Sequence, residues 1–197
     1  PKSVTVNVKS ITESVHKETI CLTIVDKDLM SVSLIYSVFH SFGSGFASSK
    51  YGINFQNRGA GFTLERNHPN EVGAKKRPMH TIIPGMLKKN DKILMPFCVM
   101  GGAYQATGHS RFVSNIVDFE LHPQTSIDAP RSFADGEILK VERGYENKIR
   151  QGLIDLGHKI TVPDIPIGGA QAIFIDYKNG TLVGSSDARK DGASLGY

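Results

Sequence analysis

The chain has 197 residues, 40% of them hydrophobic and 21% charged, with a formal net charge of +4. That is enough for one sizeable domain with a real core. No window approaches the roughly eighteen consecutive apolar residues of a membrane-spanning helix. The one basic cluster, Lys75, Lys76 and Arg77, is too short to argue for nucleic acid. Neither a membrane nor a nucleic acid is therefore expected as a partner.

The first eighteen residues are polar and without periodicity, and they begin at Pro1 instead of a Met. A trimmed start or a longer precursor is the expectation. TICLTIVD then alternates like a strand, with Thr19, Cys21, Thr23 and Val25 on one face and Ile20, Leu22, Ile24 and Asp26 on the other. A DKD turn leads into a second strand, SVSLIY, Ser31 to Tyr36. The Gly- and Ser-rich stretch from His40 to Gly52 reads as loop, Ile53 to Gln56 as a short strand, and NRGAGFTLERNHPN as a long polar loop. Strands are predicted at Thr81–Leu87 and Ile93–Met100, the second ended by Gly101 and Gly102. Phe112, Val113, Ile116, Val117 and Phe119 recur at helical spacing, which predicts a helix over 109–119. Pro130 forbids a long helix over Ser126 to Arg131. Then come a strand at Ile138–Val141, a helix at 145–156 stopped by Gly157, and strands at Lys159–Val162, Ala170–Ile175 and Thr181–Ser185, the last two joined by a KNG turn. Hairpins with helices between them suggest antiparallel sheets covered by helices, not a doubly wound parallel sheet.

Several chemistries are discounted. No GxGxxG or Walker pattern follows a strand, and no GxSxG elbow occurs. The seven histidines show neither HxxxH nor HExxH spacing, so no metal site is expected, and no cofactor. Cys21 and Cys98 lie in apolar strand-like runs and read as buried thiols. Nothing requires an oxidising compartment. Localisation stays open, with the cytoplasm marginally preferred. By themselves the residues go no further than a mixed α+β domain.

Seven strings in fixed order take the reading further: TICLTIVDKD, SVSLIYSVFHSFGSG, GINFQNRGAGF, KRPMHTIIP, FCVMGGAYQATGH, DAPRS and GSSDARKDGASLGY. Together they resemble the small, catalytic subunit of the gamma-glutamyltranspeptidase family, most closely its acylase-like branch. The resemblance runs from Thr19 to Tyr197. It implies the four-layer αββα sandwich of N-terminal nucleophile hydrolases, an α+β fold to which this chain contributes the small-subunit part. It also implies a large-subunit partner from the same precursor, with residues 1–18 as that subunit's tail and 19–197 as the catalytic subunit.

The family precursor cuts itself immediately before a threonine, and Thr19 holds that position. The arrangement is chemically sensible. A threonine hydroxyl needs an adjacent base, and cleavage supplies one as the residue's own α-amine, with a pKa of about 8. By the same resemblance Ser37 matches a threonine that hydrogen-bonds the nucleophile, and Gly101 and Gly102 match the pair whose amides form the oxyanion hole. The substrate-binding positions depart from the glutathione-using pattern. An asparagine, a glutamine and an aspartate that hold an α-ammonium become Phe39, Arg58 and Gly61, and a serine pair for the α-carboxylate becomes His80 and Thr81. Arg58 repels an ammonium and attracts a carboxylate, although a loop arginine in a surface ion pair is an equal reading. The expectation is a self-cleaving amidohydrolase or acyltransferase working through an acyl-enzyme on a small-molecule amide. The alternatives are a true gamma-glutamyl transpeptidase or glutathione hydrolase, and an uncleaved, non-catalytic member.

Overall fold

The computed structural model describes residues 19–197. Residues 1–18, expected above as the tail of a large subunit, lie outside the described residues. The elements are β1 (Thr19–Val25), β2 (Ser31–Ser37), a 3-10 turn at Arg58–Gly61, β3 (Pro84–Lys89), β4 (Lys92–Met100), α1 (Tyr104–Val117) and α2 (Pro123–Asp128). They continue with β5 (Ser132–Asp135), β6 (Ile138–Val141), α3 (Asn147–Asp155), β7 (Lys159–Thr161), β8 (Gly169–Asp176) and β9 (Thr181–Ser186). They divide into two compact units: Ala129–Ile167, and 19–128 together with Gly168–Tyr197.

In the larger unit β1 and β2 form the antiparallel hairpin the alternation predicts, in the register Thr19↔Ser37, Cys21↔Ile35 and Thr23↔Ser33. Asp26 closes its turn by accepting the N–H groups of Asp28 and Met30 at 2.9 and 2.8 Å. The two faces of the hairpin have very different surroundings. Cys21 and Ile35 are buried, together with Cys98 and Met100 and packed by Ile82. The opposite face presents Ile20, Leu22, Ile24, Val32, Leu34 and Tyr36, all between 41% and 65% exposed.

The hairpin lies on an antiparallel sheet of order β3-β4-β8-β9. Ser33 donates its hydroxyl hydrogen to the Phe97 carbonyl of β4 at 2.7 Å, and Cys21 is disulfide-bonded to Cys98 with Cα atoms 6.0 Å apart. The expected buried thiols are therefore buried, but bonded to each other. Successive strand residues face opposite ways, so Phe97 points to the other side of β4. There its ring packs at 5.4 Å from His109 and 5.2 Å from Phe112 of α1. Hairpin, sheet and helix thus stack as three layers.

The smaller unit holds the sheet β5-β6-β7. Its β6–β7 pair is parallel with α3 as the crossover, and its β5–β6 pair is antiparallel. Glu142 organises this unit, accepting the N–H of Arg131 and of Ile167 at 2.9 Å each, while Arg131 donates to the Ile167 carbonyl at 2.8 Å.

Several expectations need correction. Ile53–Gln56 is no strand: only an isolated bridge pairs Ala47 with Asn54. The helix expected over 109–119 starts five residues sooner, at Tyr104, and ends at Val117. Gly108 does not break it, because it is a packing glycine: a Cβ there would sit 2.7 Å from both Val99 and the Tyr104 ring. The helix over 145–156 is shorter, Asn147–Asp155, with Gly157 past its end at φ +92°. The strands form a hairpin, a four-stranded sheet and a three-stranded sheet.

Candidate active site

Thr19 opens β1 and Ser37 closes β2, so the register pairs them across the open end of the hairpin. Their hydroxyl oxygens lie 3.2 Å apart in a hydrogen bond. Ser37 Oγ also accepts the N–H of Phe39 at 3.1 Å. That contact helps hold Phe39 at φ +78°, a left-handed conformation that costs a phenylalanine about 1–3 kcal/mol. The residue that orders the candidate nucleophile thus also fixes the first residue of the candidate pocket.

Phe39 is buried, and the Arg58 guanidinium lies over its ring, 4.9 Å from the centroid. Arg58 is itself only 6% exposed, which overturns the surface-ion-pair reading. Its Nη1 donates to Thr81 Oγ1 at 3.0 Å, and Thr81 is buried too. No carboxylate among the described residues pairs with it. Burial pulls the guanidinium's pKa below its ordinary value, yet arginine stays charged at neutral pH. A buried cation held by one hydroxyl and one aromatic face lacks most of the compensation that burial demands.

Gly61, at the end of the same 3-10 turn, lies against this group: a Cβ there would meet Phe39, Pro78 and Met79 at 4.0 Å. Phe39, Arg58, Gly61 and Thr81 are therefore one cluster. His80 is not part of it; its side chain is exposed. An extended chain alternates its side chains, so burying Thr81 turns its neighbour outward.

Gly101 and Gly102 follow β4 with φ of +132° and +60°, conformations suited to glycine. Their carbonyls accept the N–H groups of Tyr104 and Gln105 at 3.2 and 3.1 Å, while no turn or cap bond among the described residues engages their own N–H groups. Two unengaged N–H donors before the first turn of a fourteen-residue helix suit a developing anion. The Cys21–Cys98 bond ties β1 to β4 two residues from Thr19 and three from Gly101.

Two asparagines that the sequence reading passed over brace the cluster. Asn57 accepts the His40 N–H at 3.0 Å, with its Nδ2 2.8 Å from His40 Nδ1. Asn70 donates to the Gly61 carbonyl and accepts the Met79 N–H at 2.9 Å. The only signal for them was their place in the quoted NRG string and in HPN, both in loops.

The sequence pattern of the family Gamma-glutamyltranspeptidase matches residues 2–197. The glutathione hydrolase-like YwrD proenzyme of Bacillus subtilis is 35% identical over 191 residues, which is 92% of this chain and 36% of that protein. The oxamate amidohydrolase proenzyme of Klebsiella pneumoniae is 33% identical, over 91% of this chain and 36% of that protein. The chain thus spans about a third of the length of the curated relatives it matches. Among solved structures, the cephalosporin acylase from Bacillus halodurans superposes with a TM-score of 0.81 at 41% identity, over 90% of this chain and 34% of that one. The gamma-glutamyltranspeptidase from Pseudomonas nitroreducens superposes at 0.80 and 20% identity, over 90% of this chain and 98% of that one. The fold is that of the N-terminal nucleophile hydrolases, as the resemblance implied.

Proposed function

Because the chain belongs to the gamma-glutamyltranspeptidase family, we propose that it is the catalytic part of a self-cleaving amidohydrolase whose nucleophile is Thr19. The hydrogen bond between the Thr19 and Ser37 hydroxyls carries this reading. In the precursor, the Thr19 hydroxyl attacks the carbonyl of the Glu18–Thr19 peptide bond. The resulting N-to-O acyl shift gives an ester that water hydrolyses, freeing the α-amine of Thr19. That amine then accepts the hydroxyl proton as Thr19 attacks an amide substrate, and returns it to the departing amine. The Gly101 and Gly102 N–H groups stabilise the tetrahedral oxyanion, and water or an amine releases the acyl group from Thr19.

The acyl pocket is the cluster around Arg58. It offers a cation and an aromatic face where an α-ammonium would require carboxylates or amide oxygens. The acyl donor is accordingly an amide whose acyl group bears a second, terminal carboxylate and no α-amine, such as a glutaryl amide. The names of the oxamate amidohydrolase and cephalosporin acylase relatives accord with amide substrates outside the γ-glutamyl class. The remaining wall of the site, in this reading, comes from the large subunit, which the exposed apolar face of the hairpin is suited to contact.

Mass spectrometry of the full precursor and of Thr19→Ala tests the assignment. The wild type should yield a chain beginning at Thr19, and the variant a full-length, inactive protein. Cleavage that persists in Thr19→Ala would assign the cut to another residue or protease. Hydrolysis by the mature enzyme should rise with pH as the α-amine, ordinary pKa about 8, loses its proton and becomes a base.

A further inference from the structure

Gln105 stands among the least exposed polar side chains of the chain, at 1%, and it has no role in the chemistry above. It lies in the first turn of α1, and its backbone N–H is bonded to the Gly102 carbonyl at 3.1 Å. Its side chain leaves the helix: Oε1 accepts the N–H of Ile83 at 3.2 Å. Its own carbonyl accepts from His109 Nδ1 at 2.7 Å, one turn further along. Ile83 is two residues beyond Thr81, the hydroxyl that holds Arg58. Between them Ile82 packs into the cluster of Cys21, Ile35, Cys98 and Met100. The segment from Thr81 to Ile83 is thus anchored by Ile82 to the interior of the hairpin and by Gln105 to the helix that begins behind the two glycines.

We propose that Gln105 is a positioning residue that sets the span between the Gly101–Gly102 amides and the Arg58 guanidinium, and so selects the length of the carboxylate-bearing acyl group. The inference rests on the carboxylate-pocket reading above. The substrate must reach two points at once: its scissile carbonyl at the glycines and its terminal carboxylate at Arg58. One side chain connects the mounts of both. A glutamine suits this task because its Oε1 accepts the backbone N–H of Ile83 across the gap between helix and segment. Loss of the acceptor leaves the Ile83 N–H unsatisfied and frees the Thr81 segment on one side.

The test is the chain-length profile of anilide hydrolysis by the mature enzyme. Succinyl, glutaryl and adipyl anilides are compared with butyryl anilide, which has no carboxylate. Gln105→Leu keeps the bulk and removes the acceptor; Gln105→Glu keeps an oxygen there. The wild type should show one preferred dicarboxylic length. Gln105→Leu should lower kcat/KM for that donor tenfold or more, mainly through KM, and flatten the profile, with butyryl anilide within threefold of wild type. Gln105→Glu should restore the preferred length. Should Gln105→Leu fail to accumulate, Gln105→Met is read in the same way. An equal loss across all four donors, or an unchanged profile, overturns the inference. A wild type indifferent to the terminal carboxylate overturns both the inference and the carboxylate pocket. Cleavage before Thr19, followed by mass in the same samples, separates that result from failure of the nucleophile assignment.

Discussion

The most informative single residue is Arg58, because its environment is incomplete. Its guanidinium is buried, bonded to Thr81 and stacked on Phe39, without a carboxylate among the described residues. In the proposed enzyme a substrate carboxylate supplies the missing charge. Leaving that carboxylate unpaired in a partly buried pocket costs on the order of 2–5 kcal/mol, so Arg58→Ala should lower kcat/KM for glutaryl anilide tens-fold or more. Autocleavage should be nearly unaffected, since it needs Thr19, Ser37 and nearby backbone. A wild type that prefers γ-glutamyl anilide, or an Arg58→Ala variant that treats both anilides as before, would refute the anchor. His109 gives a second expectation at this scale. Burial lowers its pKa, against the opposing hydrogen bond that Nδ1 makes to the Gln105 carbonyl. The neutral ring is therefore the folded form. The unfolded chain takes up this proton near pH 6.5, before the folded one does. Stability should fall as pH drops below about 6.5, and His109→Gln should flatten that decline in denaturation curves measured from pH 7 to 5.

At the scale of elements, the hairpin and β4 are held by the Cys21–Cys98 bond, which closes a sequence separation of 77 residues. A loop of that size stabilises by roughly 4 kcal/mol in the chain-entropy estimate, chiefly by constraining the unfolded chain. Cys98→Ala, or reduction by a thiol, should lower the melting temperature, and reductant should then have no further effect on the variant. A melting temperature insensitive to reductant would show the bond to be absent in solution. The same elements show what the sequence disclosed. The hairpin was legible because TICLTIV and SVSLIYS alternate over seven residues each and Asp26 closes the turn between them. The start of α1 was not: Gly108 reads locally as a breaker, and only its contact with Val99 across the layer explains it. β5 was passed over because SFAD is four residues long and pairs with β6 through tertiary context. The disulfide was hidden because both cysteines look like ordinary buried apolar residues, and only the stacking of β1 on β4 brings them together. Arg58's burial was equally invisible, since loop residues carry no periodicity. Thr19, Ser37 and the glycine pair, proposed above as nucleophile, its partner and the oxyanion donors, were singled out by the ordered strings and not by spacing.

At the scale of the molecule, the hairpin is inverted relative to ordinary amphipathic strands. Its serine- and threonine-bearing face turns toward β4, and six large apolar side chains point outward as cross-strand pairs Ile20–Tyr36, Leu22–Leu34 and Ile24–Val32. Monomeric proteins seldom leave such a stripe open. Covering it would contribute on the order of 5 kcal/mol or more, and the curated relatives extend to almost three times the length matched here. In the proposed precursor the preceding large-subunit region lies on this stripe. Leu34→Glu discriminates. In the chain 19–197 expressed alone, Leu34 is already 51% exposed, so the substitution should shift stability by less than about 0.5 kcal/mol and improve solubility. In the full precursor the same glutamate would be buried unpaired at a cost of several kcal/mol. Association of the two parts should then fail, and self-cleavage with it, because the threonine strand would lose its cover. Size-exclusion chromatography and mass spectrometry of both forms read the outcome. If the Leu34→Glu precursor assembles and cleaves like the wild type, the stripe is not where the large subunit sits.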